Sequence, residues 1–267
     1  MTDKYAVIGN PVTHSKSPQI HTAFAKLTRQ DLNYEAVLSP MNGFAATVND
    51  LIAQGFKGAN VTVPFKFEAF ALCSELTERA QTAGAVNTLT FANNIIKGDN
   101  TDGAGLINDI QDNLRCNLQG AQILLIGAGG AAQGVLLPLL SAKPASITIA
   151  NRSLDKAQNM IAKFSNEKLS AISFEALSSP FDIIINATST GLSDTALSIP
   201  NTIFAKDCLA YDMMYGRETP FMKQARTNGA QVADGLGMLV EQAAEAFYIW
   251  RGIRPLNAPV ITQLRNA

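Results

Sequence analysis

"ILLIGAGGAAQGV", residues 123–135, decides the fold. Four apolar residues stand in a row, Ile123 to Ile126, with no polar alternation. A strand that is apolar on both faces belongs in a parallel sheet covered by helices on both sides. The glycines that follow sit in the GxGxx(G/A) positions, as Gly127, Gly129 and Ala132. Each has a physical reason. Gly127 permits the tight turn, Gly129 lets the backbone approach a pyrophosphate, and small Ala132 lets the helix pack on the strand. The N-terminus of that helix then faces an anion. Gly127 and Gly129 are therefore candidates for cofactor binding, in a strand–turn–helix context that makes the motif informative.

The next strand sharpens the choice of dinucleotide. In "ITIANRSLDK", residues 147–156, the strand ends at Asn151-Arg152-Ser153, with Lys156 one turn on. A carboxylate at this place would hold the ribose hydroxyls of NAD. Here Arg152 can stack on an adenine and pair with a 2′-phosphate, and Lys156 adds positive charge that Asp155 offsets in part. The cofactor this predicts is NADP.

Outward from the loop, short apolar runs alternate with helical patterns along the whole chain. Downstream, strands are expected at 146–150, 182–186, 209–212 and 231–233, and helices at 153–164, 219–228 and 236–250. Upstream, strands are expected at 5–8, 34–38 and 58–63, and helices at 17–27, 43–54 and 65–72. Two further runs, 88–91 and 95–97, flank Asn93-Asn94, a pair that tolerates the positive φ of a hairpin turn. The fold class is α/β in two domains with a cleft between them. Residues 1–101 and 237–267 form a mainly parallel α/β domain, and 102–236 form a Rossmann-type dinucleotide-binding domain.

The first half concentrates small polar residues at strand ends, where open α/β sheets bind ligands. "GANVTVPFK" (58–66) would put Asn60 and Thr62 on one face, Val61 and Val63 on the other, and Lys66 just past the strand. "GAVNTL" (84–89) adds Asn87, and "DNTDGAG" (99–105) adds Asp102 in a helix-entering turn. "THSKSPQIH" (13–21) reads as a helix start, with Ser17 as N-cap and Pro18 in the first helical position. It holds both histidines, His14 and His21, which read as packing or orienting groups.

Composition excludes several classes. The 267 residues carry 21 Lys and Arg against 22 Asp and Glu, so there is no basic footprint for nucleic acid or a membrane surface. No apolar stretch reaches the ~18 residues of a membrane span. The three cysteines form no CxxC pair, which fits a reduced, cytoplasmic setting. No HExxH or HxxE spacing supports a metal site. The expected ligands are a small molecule and NADP, for a monomer or a homodimer.

Taken together, "GNPVTHSKSPQIH", "GANVTVPFK", "GAVNTL", "DNTDGAG", "IGAGGAA", "NRS", "NATSTG", "YDMMYGRETPF" and "ADGLGMLVEQAAEAF" run nearly the full chain. They resemble the shikimate/quinate dehydrogenase family. The resemblance implies NADPH-dependent, reversible reduction of 3-dehydroshikimate to shikimate in aromatic amino acid biosynthesis. It implies Lys66 as the acid/base, paired with Asp102. It implies Ser15 and Ser17 at the substrate carboxylate, and Thr62, Asn87 and Asp102 at its hydroxyls with Asn60 close by. Tyr215 and Gln242 would complete that pocket. Asn151, Arg152, Ser153 and Lys156 would line the cofactor beside the loop of Gly127, Ala128, Gly129, Gly130 and Ala131. Thr188, Met213 and Gly235 would line its nicotinamide half, with Glu78 near the cofactor. Relatives differ, and a broader quinate/shikimate enzyme or a non-catalytic NADP-binding regulator would share the fold. Ser17, in place of a threonine, favours shikimate, and the presence of both Lys66 and Asp102 favours an enzyme.

Overall fold

The computed structural model describes residues 2–188, 190 and 195–266. Part of the NATSTG motif, Ser189 and Gly191, lies outside the described residues. The chain divides into two compact units, Met1–Gly105 with Leu239–Ala267, and Leu106–Met238. The divisions fall a few residues later than 101 and 236, so Asp102 stands in the first unit.

The first unit begins β1 (Asp3–Gly9), α1 (Ser17–Thr28), β2 (Leu32–Leu38), α2 (Phe44–Ala53), β3 (Phe56–Val61) and α3 (Lys66–Leu72). Then come β4 (Glu75–Leu76), α4 (Glu78–Ala83), β5 (Thr88–Ala92), β6 (Ile95–Asp99) and the start of α5 (Asp102–Asn108). Its sheet has the order β2-β1-β3-β5-β6-β4. β1 pairs in parallel with β2 and β3, and β5 runs antiparallel to both β3 and β6. The hairpin turn at Asn93 and Asn94 has φ of 52° and 60°, as its sequence requires. β1 shows why the sheet is covered on both sides. Ala6 and Ile8 pack with Phe44, Val48 and Leu51 of α2, while Tyr5 and Val7 pack with Tyr34 and Trp250 on the other face. Trp250 lies in α9 (Leu236–Arg251), stacks on Tyr5 at 4.6 Å between centroids, and donates its indole N–H to Leu89 O at 3.1 Å. Gly58 makes room for that ring, because a Cβ there would lie 2.6 Å from Trp250 Nε1.

The second unit holds β7 (Gln122–Ile126), α6 (Gly130–Ser141), β8 (Ser146–Ala150), α7 (Leu154–Ile161), β9 (Leu169–Ile172), β10 (Phe181–Asn186), β11 (Phe204–Asp212), α8 (Pro220–Thr227) and β12 (Gln231–Asp234). The sheet is all parallel, in the order β12-β11-β10-β7-β8-β9. The strand order reverses between β7 and β10, which is a topological switch point. Ile123 and Leu125 enter the core beneath α6, and Leu124 and Ile126 enter the core on the opposite face.

Some expectations are corrected. β3 ends at Val61, and Val63 is 62% exposed instead of sharing a face with Val61. The chain turns there, with Phe65 N–H donating to Thr62 O at 3.1 Å. Ser17 is not the N-cap of α1. Lys16 occupies that place without a side-chain cap, and Ser15 Oγ accepts the N–H of Ser17 at 3.3 Å. The short strands β4 and β9 and helix α4 add to the elements that the sequence pattern predicts. Among the described residues, no helix is long and apolar enough to cross a membrane.

Candidate functional site

Lys66 opens α3 directly after the turn that follows β3. Its Nζ donates to Asp102 Oδ2 at 2.6 Å, with the lysine side chain 30% exposed and the aspartate 16%. Asp102 opens α5, and its backbone N–H donates to Asn100 Oδ1 at 3.1 Å, so Asn100 performs the helix-start role. The second carboxylate oxygen, Oδ1, accepts from Asn87 Nδ2 at 2.8 Å. Each oxygen of Asp102 thus has its own donor, which fixes the plane of the carboxylate and the direction of the lysine.

Asn87 and Asn60 reach this centre as holders of other groups. Asn87 Nδ2 also donates to Thr101 Oγ1 at 3.0 Å, and Asn87 Oδ1 accepts from Thr101 N–H at 2.9 Å. Asn60 Nδ2 donates to Asn87 O and to Thr88 Oγ1, both at 3.1 Å, and its Oδ1 accepts from Tyr34 Oη at 2.7 Å. The amide nitrogen of each is therefore used twice within the protein. Tyr34 is buried, and that burial raises its phenol pKa well above the usual value, with Ser17 acting weakly in the other direction. Tyr34 is not legible as a site residue in the sequence: it reads as an ordinary apolar strand position. His21 lies against it, with ring centroids 4.1 Å apart and planes 3° from parallel.

Ser15 and Ser17 sit at the N-terminal end of the 12-residue helix α1, with Ser17 buried and Ser15 half-buried. Two hydroxyls at the positive end of a helix suit an anion. Thr62 is half-buried, its methyl set against Gly9, where a Cβ would lie 2.5 Å away. Gln242, on α9, is reached by Thr101 Oγ1 at 3.4 Å. Seven of the expected residues of this group (Ser15, Ser17, Asn60, Thr62, Lys66, Asn87 and Asp102) thus lie at or near strand or helix ends of the first unit, and Gln242 joins them from α9. Tyr215 belongs to the second unit, where burial raises its phenol pKa.

The second unit gathers another set at the C-terminal ends of its strands. Gly127 has φ +110°, and a Cβ there would meet Thr188 Cγ2 at 3.1 Å. Gly129 faces open space, with nothing within 4 Å of where a Cβ would stand, and Gly130 opens α6. Ala128 is half-buried and Ala131 exposed on the same turn. Thr188 Oγ1 donates to Asn186 Oδ1 at 2.7 Å, and Met213 N–H donates to Asn186 O at 3.0 Å. Gly235 fits against the Met213 backbone, where a Cβ would lie 2.2 Å from Met213 O. Buried Asp212 supports this edge. It accepts from Thr219 Oγ1 at 2.6 Å, Met214 N–H at 3.0 Å and Asn186 Nδ2 at 3.1 Å, and burial raises its pKa despite those bonds. Past β8, Asn151 Nδ2 donates to Ser153 O at 2.9 Å, and Arg152, Ser153 and Lys156 are exposed around the turn. An open glycine cradle, a helix N-terminus and exposed cations without a carboxylate at the strand end all fit a dinucleotide bearing a 2′-phosphate. Glu78 is exposed at the start of α4 in the first unit, apart in the chain from the rest of this set.

A switch-point glycine loop in an all-parallel sheet, with a separate unit built around a lysine–carboxylate pair, defines a two-unit α/β protein of the Rossmann dinucleotide-binding class. Three family models match in chain order: "Shikimate dehydrogenase substrate binding domain" at 7–89, "Shikimate / quinate 5-dehydrogenase" at 109–194, and "Shikimate 5'-dehydrogenase C-terminal domain" at 235–265. The shikimate dehydrogenase (NADP(+)) of Methylobacillus flagellatus is 60% identical over 99% of this chain and 100% of its own. Among solved structures, an Ael1 enzyme from Pseudomonas putida superposes with a TM-score of 0.97, at 45% identity over 98% of each chain. The shikimate 5-dehydrogenase of Thermus thermophilus, solved with NADP(H) and shikimate, gives 0.90 at 30% identity over 99% of each chain. The chain belongs to the shikimate dehydrogenase family.

Proposed function

We propose that this chain catalyses the reversible, NADP-dependent reduction of 3-dehydroshikimate to shikimate, with Lys66 as acid/base and Asp102 as its partner. The observation that carries the reading is the 2.6 Å Lys66–Asp102 pair, whose carboxylate is oriented from its other side by Asn87. When bound, NADPH supplies the hydride. The protein's own residues handle the rest. As the ketone is reduced, negative charge grows on its oxygen; the Lys66 ammonium stabilises that charge and gives up a proton to it. In the reverse direction the Lys66 amine takes the hydroxyl proton. Asp102 fixes the position of the Lys66 ammonium through the 2.6 Å contact.

We assign the substrate to the first unit, Met1–Gly105 with Leu239–Ala267, and NADP to the second, Leu106–Met238. Ser15 and Ser17 would bind the substrate carboxylate, and Thr62, Asp102 and Gln242 its hydroxyls, with Tyr215 completing the pocket. Asn87 and Asn60 would serve mainly by holding Asp102 and the adjoining strand end. Gly127 to Ala131 would cradle the pyrophosphate and Asn151 to Lys156 the adenosine 2′-phosphate. Thr188, Met213 and Gly235 would line the nicotinamide end. The three unpaired cysteines support a cytoplasmic setting.

The test is reduction of NADP⁺ by shikimate, followed at the NADPH absorbance, with quinate and NAD⁺ assayed in parallel. Shikimate with NADP⁺ is expected to be the preferred pair. Lys66→Ala is expected to lower kcat by roughly 10²–10⁴-fold, the scale of general acid–base catalysis, with little change in the KM for shikimate. A Lys66→Ala protein that turns over like wild type would overturn the assignment.

A further inference from the structure

A second polar network of the first unit centres on Arg79, a residue in none of the expected motifs. Arg79 is the second residue of α4, whose N-cap is Thr77. Its Nε and Nη2 donate to the two oxygens of Asp99 at 2.6 and 2.9 Å. Its Nη1 and Nη2 donate to Glu245 Oε1, both at 3.1 Å. Asp99 and Glu245 are 8% and 9% exposed, so both carboxylates are largely withdrawn from water. Arg254 pairs with the other Glu245 oxygen at 2.8 Å.

Both partners lead to groups in the proposed site. Asp99 Oδ1 also accepts the Asn100 N–H at 2.7 Å, and Asn100 Oδ1 accepts the Asp102 N–H at 3.1 Å. Asn100 is further pinned by its Nδ2 bond to Ala85 O at 3.0 Å. Glu245 lies three residues after Gln242 on α9, hence on the same helical face. Thr101, between Asn100 and Asp102, reaches Gln242 directly at 3.4 Å. One rigid guanidinium fork therefore joins the loop that carries Asp102 to the helix that carries Gln242. A bidentate arginine fixes geometry in a way that an ammonium does not.

We propose that Arg79 is a positioning residue for the reaction, holding Asp102, through Asp99 and Asn100, and Gln242, through Glu245, in one register. The inference rests on the function proposed above. An ångström of misplacement at a reacting centre can cost about 10²-fold, so the network would be felt in catalysis as well as in stability.

The experiment is steady-state kinetics of the full chain and of Arg79→Met, Arg79→Lys and Glu245→Gln, each alone and with Gln242→Ala. Arg79→Met is expected to lower kcat/KM for shikimate by roughly 10- to 100-fold, with the KM for NADP⁺ within about twofold of wild type. Arg79→Lys is expected to recover only part of the loss. In the Gln242→Ala background the cost of Arg79→Met shrinks, because one of its two routes is already gone. A lowered Tm with unchanged kcat and KM for shikimate would overturn the proposal, as would strictly additive costs with Gln242→Ala. Should Arg79→Met fail to fold, Glu245→Gln decides: it keeps the side-chain shape and is expected to raise the KM for shikimate alone, and unchanged kinetics overturn the proposal. Wild-type protein inactive on shikimate would refute the proposed reaction and this inference with it; an active wild type with indifferent variants refutes only Arg79.

Discussion

His21 makes the stability of this protein depend on acid in a calculable way. Its ring is fully buried, 0% exposed, stacked on Tyr34 and flanked by Phe24, Phe247 and Trp250. Among the described residues, neither ring nitrogen has a hydrogen-bond partner of normal geometry. Burial pushes its pKa down to about 3, and the nearby Asn60 amide offsets only part of that. In the unfolded chain the same imidazole titrates near 6.5. Between these values the unfolded state binds a proton that the native state refuses, so stability falls as the pH falls through that window. Linkage gives a loss of roughly 2.5 kcal/mol from this group between pH 7 and pH 4.5. The perturbation is His21→Leu, which removes the titration along with two unpaired nitrogens. The assay is urea unfolding of wild type and variant at pH 7, 5.5 and 4.5. At pH 7 the variant is expected to match or exceed wild type, since an unsatisfied buried polar group costs about 1–3 kcal/mol. At pH 4.5 the gap is expected to have moved by about 2.5 kcal/mol in the variant's favour. A gap that stays constant over this range would mean that native His21 accepts the proton, and the picture of a neutral ring packed dry among aromatic side chains would fail.

Two further outcomes follow from close contacts and charge. Gly58→Ala places a Cβ 2.5 Å from Leu89 O and 2.6 Å from Trp250 Nε1, so the indole must shift. A loss of about 1–3 kcal/mol is expected, with a change in the fluorescence of the chain's single tryptophan; unaltered emission would refute the contact. Arg152→Glu installs the missing carboxylate at the end of β8. It is expected to shift preference from NADP⁺ toward NAD⁺ by roughly 10- to 100-fold, the value of one charged hydrogen bond; an unchanged ratio of the two kcat/KM values would remove Arg152 from the 2′-phosphate site.

Much of this is legible in the sequence where local rules decide the structure. The run Ile123–Ile126 is buried on both faces, as its lack of alternation requires, and the Asn93-Asn94 turn has both residues at positive φ. What escapes is set by distant partners. β4 is two residues long and exists by pairing with β6, while β9 has an unremarkable sequence held beside β8. Arg79 meets partners 20 and 166 positions away, so no window along the chain could reveal it. Ser17 reads as a helix cap because serine before proline usually is one; the hydroxyl of Ser15, two residues earlier, takes up its N–H instead.

The amides of the proposed site carry a physical lesson. Asn60, Asn87 and Asn100 all lie at or near strand ends, and Asn60 and Asn87 read as polar groups presented to a ligand. In the fold their side chains are spent on one another's backbones, on Tyr34, on Ala85 and on Asp102. Buried amides left without partners would each cost free energy, so a dry site must satisfy them before any substrate arrives. The consequence is catalytic. Lys66 and Asp102 are held by groups whose hydrogen bonds are already committed, so the ordering of the acid/base pair is completed during folding and need not be repeated at each turnover. In the proposed reaction, contact with the substrate then falls to the hydroxyls of Ser15, Ser17 and Thr62 and to the Lys66–Asp102 pair that this framework holds, with Gln242 and Tyr215.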